Sequence, residues 1–72
     1  MTKLKAHDSR RSAVDSARKR SLFAAFRGDY SQFAAVEFQG RCWSGPEHEI
    51  ENLGTAQARV IIAQYSQGYL CD

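Results

Sequence analysis

The residues able to do chemistry in this chain are few and widely spaced. Cys42, Cys71, His7 and His48 invite a zinc reading. Structural zinc sites, however, pair their ligands at short spacing, as in C-x2-C or H-x3-5-H, and no such pair occurs here. Cys42 reads better as a strand residue and His48 as a surface histidine among Glu47, Glu49 and Glu51. A cysteine nucleophile needs a base within hydrogen-bond reach and an oxyanion site in a pocket that excludes water. Cys42 and His48 can meet only across the Ser44-Gly45-Pro46 turn, and a domain this small has little room for an enclosed pocket. Alternating carboxylates at Glu47, Glu49 and Glu51 are ordinarily solvated, and no glycine-rich loop is present to cradle a phosphate. The expectation is a non-enzymatic protein with no cofactor and no metal.

The other chemistry is that of a contact surface. Arg11, Lys19, Arg20 and Arg27 lie in one stretch with Phe23, and Tyr30 follows. Arginine and aromatic residues dominate binding hot spots, so these six are the candidate partner-binding residues. Phe23 has two readings. The commoner is that the last turns of the helix are buried all round, with Leu22, Phe23 and Phe26 gripping the core. The sharper is that Phe23 is an exposed anchor ringed by cations. Trp43 and Tyr69 read as core residues for the same reason that large aromatics are usually covered.

These residues need a helix to carry them. In Ser9–Arg27, the positions Ala13, Val14, Ala17, Ser21, Ala24 and Ala25 recur at three- and four-residue steps and form one apolar stripe. Asp8 or Ser9 is placed to cap its start, and Gly28 to stop it in the left-handed conformation. Asp15 sits one turn from both Arg11 and Lys19, which offers weak ion-pair support. Lys19, Arg20, Phe23 and Arg27 fall on the side away from the stripe, with Ser12 and Ser16. The tripeptide Arg27-Gly28-Asp29 matches an integrin-recognition motif, but matches this short arise by chance and the turn already accounts for it.

From Gln32 the period changes to two. Phe33 to Phe38 reads as a strand, Gln39-Gly40 as a tight turn, and Arg41-Cys42-Trp43 as its return. A two-residue loop sets Phe38 opposite Arg41 and Val36 opposite Trp43. Ser44-Gly45-Pro46 is a break. Residues 47–51 suit either a charged edge strand or a loop. Ala58, Ile61, Ile62 and Tyr65 then follow helical spacing, with Thr55 as the cap and Gly68 as the stop; Arg59 to Ala63 also reads as a buried strand. The expected architecture is therefore a small α+β single domain over residues 1–72. It has an N-terminal helix, a two- or three-stranded antiparallel sheet, and a second helix packed on the same face. Residues 1–7 show no pattern and read as a mobile lead-in.

Composition bounds the function. With 43% hydrophobic and 25% charged residues the chain is globular rather than disordered. No run is long enough to span a membrane and none follows the first lysines as a secretory signal. Two cysteines do not make a disulfide framework, so a cytoplasmic location is expected. Residues 1–29 hold eight Lys/Arg against three Asp, a balance of +5, whereas residues 30–72 hold two Arg against five acids, a balance of −3. Such a dipolar chain can present a basic face to an acidic partner. The expected function is a binding protein that modulates or inhibits a larger protein or nucleoprotein machine. Motif-free proteins of this size are common among phage and mobile-element products that block a host enzyme or defence complex. The alternative is a DNA- or RNA-binding regulator using the same helix. Against it stand Asp8 and Asp15 on that helix and the lack of a helix-turn-helix or aromatic strand motif. A second copy of the chain is a further candidate partner, since it would cover apolar surface that so small a core leaves exposed.

Overall fold

Residues 33–46 build the centre of the molecule, and Ser44-Gly45-Pro46, expected as a break, instead continue the second strand because their backbone pairs with residues 33–35. In the computed structural model, which describes residues 4–53 and 59–71, strands β2 (Phe33–Phe38) and β3 (Arg41–Pro46) form an antiparallel hairpin. Phe38 lies opposite Arg41 and Val36 opposite Trp43, the register that a two-residue loop dictates. The loop residues Gln39 and Gly40 take φ of 53° and 76°, the paired positive values that match the right-handed twist of the flanking strands.

Helix α1 (Arg10–Phe26) precedes the hairpin and crosses one face of the sheet. The Ser9 side chain accepts from the Ser12 N–H at 3.1 Å and caps the start. At the other end Gly28 (φ 83°) donates to the Ala25 carbonyl and Asp29 to the Ala24 carbonyl. This reciprocal pair is the Schellman arrangement, which closes off the last free carbonyls. Ala13, Ala17, Ser21 and Ala24 are buried along the apolar stripe, against Phe33, Ala35 and Cys42. No ion pair joins Asp15 to Arg11 or Lys19 among the described residues; instead Arg10 pairs with Glu37 across to β2 at 3.1 Å.

The sheet is wider than two or three strands. It has five, all antiparallel: β1 (Lys5–His7), β3, β2, β4 (Arg59–Ser66) and β5 (Tyr69–Leu70), in that order across the sheet. Lys5–His7, within the stretch expected to be a patternless lead-in, form β1 on the outer side of β3. Arg59–Ser66, expected as the second helix, form β4 beside β2, and Tyr69–Leu70 return as β5. The physical reason for this correction is the run Val60-Ile61-Ile62, whose β-branched side chains favour the pleated surface. The helical spacing that obscured the strand comes from a β-bulge: the register with β2 shifts between Ala35 and Val36. Ile62 is the extra residue, so Ile62 and Tyr65 pack on the same α1-facing cluster although they are an odd number of residues apart. Thr55 and Ala58, the expected cap and first stripe position, lie outside the described residues.

The second helix is also elsewhere. Glu47–Ile50, expected as a strand or loop, form the single turn α2 immediately after Pro46. Pro46 supplies an extended residue ahead of the turn, and the acids Glu47 and Glu49 suit a helix start. Its buried Ile50 packs with Ala34 and Val36, the residues that alternate with the α1-facing Phe33 and Ala35. The helices therefore cover opposite faces, not the same one. Trp43 is half-buried beside this second cluster with Leu4 and Leu53.

Candidate functional site

The site is built where α1 ends over the β3 side of the sheet. Because β1 and β3 extend the sheet under this flank of the helix, Ser12, Ser16 and Arg20 do not point simply into solvent. Ser44, fully buried in β3, donates its hydroxyl to Ser16 Oγ at 3.0 Å. With that proton committed, Ser44 Oγ accepts from His7 Nε2 at 2.7 Å. The other ring nitrogen of His7, Nδ1, faces the Ser12 hydroxyl at 3.5 Å. Burial lowers the pKa of His7, and the nearby charges of Lys5 and Arg20 lower it further, against a smaller opposing effect of Asp8. Arg20 completes the arrangement. Its Nη1 donates to the Ser44 carbonyl at 3.2 Å, and its guanidinium carbon stands 5.5 Å from the Phe33 ring centroid, within range of a cation–π contact. Burial shifts Arg20 downward, but a guanidinium remains charged.

Phe23 rises beside this anchor. It is 55% exposed, Phe26 is 77% exposed, and Leu22 is exposed as well, so the last turns of α1 are not buried all round. The sheet explains this: Ile62 and Tyr65 of β4 pack on the side of α1 that carries Ala13, Ala17 and Ala24, which leaves Phe23 and Phe26 exposed among the described residues. The Phe23 and Phe26 rings lie 6.5 Å apart and tilted, a favourable aromatic pair on the surface. Tyr30 is exposed in the following loop, and Tyr69, read from sequence as a core residue, is exposed in β5.

Two clefts flank Phe23. One, of about 270 Å³, is walled by Arg20, Arg27, Asp29, Phe33, Pro46 and His48. The loop that shapes it is held by Asp29, whose Oδ1 accepts from both the backbone N–H and the hydroxyl of Ser31. The other, of about 390 Å³, opens between α1 and β1, with Lys5, His7, Asp15, Lys19 and Arg20 among its walls. A third depression beside Leu22 and Tyr69 shares Lys19 with the second. Of the six candidate binding residues, Arg20, Phe23 and Arg27 thus meet in one cleft, and Lys19 joins Arg20 and Phe23 in the next. Arg11 and Tyr30 are exposed but line neither. Sequence reasoning missed His48, Pro46, Asp29 and Lys5 as cleft walls; they come from separate segments that only the tertiary fold brings beside the helix.

Cys42 is buried in β3 facing α1, opposite His7 in register, and Cys71 is partly exposed after β5. Among the described residues no three metal-ligating groups converge, and no helix is long and apolar enough to cross a membrane. Comparison with protein-family models, with curated proteins and with solved structures finds no match to this chain.

Proposed function

We propose that this protein is a small non-catalytic binding module that modulates a larger protein or nucleoprotein machine by occupying one of its surfaces. The observation that carries the reading is Phe23, half-exposed between two clefts and flanked by Arg20, Arg27 and Lys19. Isolated exposed apolar residues need no explanation. Here, however, Phe23 touches Phe26, and Leu22 borders a depression with Tyr69, so the apolar surface is grouped and rimmed by cations. Grouped aromatic and arginine surface is the composition of protein-binding hot spots. Modulation by blocking a surface fits a module whose clefts beside Phe23 are open to solvent.

The test is an affinity pull-down with the tagged full chain, before and after nuclease treatment, compared with Phe23→Ala and Arg27→Glu. Arg20 is unsuitable for this purpose because it also anchors α1 to the Ser44 carbonyl and Phe33. The expected result is a protein partner retained after nuclease by the wild-type chain and lost by either variant. Retention by both variants removes this face from the interaction. If every partner disappears on nuclease treatment, the nucleic-acid reading replaces this one. Duplex binding would then weaken with salt by about 0.9 log units per log unit of salt for each phosphate neutralised.

A further inference from the structure

The two clefts beside Phe23 share a pattern of charge. The first sets Arg20 and Arg27 against Asp29; the second sets Lys5, Lys19 and Arg20 against Asp15. Each is therefore net positive yet carries a carboxylate. Between them stands an apolar ring, and the first cleft continues onto the buried Phe33 and Pro46. We propose that this surface receives an acidic polypeptide segment bearing an aromatic or large aliphatic side chain. The apolar side chain would pack against Phe23 and Pro46, and acidic side chains on either side would reach Arg27 and Lys19. The inference rests on the binding reading above and names the chemistry of the partner.

Charge complementarity selects the class. Arg27 and Lys19 are exposed and make no ion pair among the described residues, so they meet an incoming carboxylate without first breaking a contact. A guanidinium also matches a carboxylate in a two-pronged geometry. A nucleic-acid strand fits less well. Its phosphates recur along the whole backbone, and Asp15 and Asp29 would repel them in both clefts, whereas a polypeptide can place its few acids where the cations are. Electrostatics of this kind speeds encounter and excludes wrong partners, while the desolvated aromatic supplies holding energy.

The experiment is fluorescence anisotropy with the full chain and three labelled probes at low salt. These are a short Glu-rich peptide with a central tryptophan, the same peptide with Gln for Glu, and an oligothymidine of similar length. The Glu peptide is expected to bind about tenfold or more tightly than the Gln peptide, and to lose about tenfold with Arg27→Glu or Phe23→Ser. A Lys-for-Glu version of the peptide should gain affinity for the doubly reversed Lys19→Glu/Arg27→Glu chain, a rescue that a misfolded variant would not give. Equal binding of the Glu and Gln peptides, or preference for oligothymidine, overturns the proposal, as does the absence of binding by any probe. The two levels fail separately. A nuclease-resistant partner lost on Phe23→Ala but kept on Arg27→Glu retains the binding module and sinks its acidic partner. With no such partner, the binding module itself fails.

Discussion

His7 shows how much of this structure depends on single polar groups. Its ring donates to Ser44 at the centre of a chain of hydroxyls that joins β1, α1 and β3. Burial, together with the charges of Lys5 and Arg20, penalises the protonated ring. The native pKa thus lies below the unfolded value of 6.5. Between those two values the unfolded chain binds more protons, so stability rises with pH there and falls as pH is lowered through 6.5 towards the native value. His7→Gln keeps an amide donor for Ser44 and removes the titration. Denaturant midpoints of the two chains should diverge with pH, the wild type losing more between about pH 8 and about pH 5 than the variant. Parallel pH profiles would show that His7 does not contribute this dependence. None of this was legible in sequence. His7, Ser12, Ser16 and Ser44 are ordinary polar residues until three elements bring them together, whereas Arg20, Phe23 and Arg27 were visible because one helix carries all three.

The elements differed in how clearly they were written. The hairpin over residues 33–43 and the ends of α1 were plain, because alternation, a Gln-Gly turn, a serine cap and a glycine stop are all local signals. The last three residues of β3 were not, because Ser-Gly-Pro has the composition of a turn yet pairs with residues 33–35 of β2. The β4 strand was not, because its bulge gives Ile62 and Tyr65 a helix-like spacing, and β1 is too short to show a period. The β4–β5 turn is held by a contact that sequence cannot display. Gly68, at φ 82°, donates its N–H to the buried Ser21 hydroxyl at 3.0 Å, and Ser21 in turn donates to the Arg18 carbonyl. This explains a serine in the apolar stripe. A Cβ on Gly68 would stand 3.0 Å from Leu22 Cδ1 and 3.2 Å from Leu22 Cβ, whereas one on Gly28 would meet nothing within 4 Å. Both glycines are left-handed, so alanine at either costs about 1–2 kcal/mol in backbone conformation. Gly68→Ala should therefore destabilise more than Gly28→Ala, and Leu22→Ala in the same chain should remove the part of the excess owed to Cδ1 and Cγ, the Cβ contact remaining. Equal costs in chemical unfolding, or no coupling in that cycle, would mean the turn can move away from the helix.

At the scale of the molecule, the core is made of small residues. Ala13, Ala17, Ala24, Ala34 and Ala35 are buried, and the largest fully buried side chains are Val36, Ser21 and Ser44. Alanines bring α1 close to the sheet, but each buries little area, and a short chain has few other sources of apolar burial. Much of the larger apolar material instead lies at the surface in Phe23, Phe26, Val60, Ile61 and Tyr69. That distribution fits a protein that keeps its contact area for a partner and holds its own fold by close packing. It also makes the helix–sheet interface the place least tolerant of added volume. Ala17 is fully buried in the α1 stripe and clusters with residues of β2 and β3. Ala17→Leu should thus overpack the interface and cost about 1–3 kcal/mol. At about 4–8 °C per kcal/mol for a domain of this size, this is a large fall in Tm. Val60→Ala on the exposed part of β4 should change stability by no more than about 0.5 kcal/mol. Thermal unfolding of the two variants beside the wild type checks both. If Ala17→Leu were neutral, the helix would have room to lift from the sheet. Binding at its far end would then couple to that movement instead of using a rigid face.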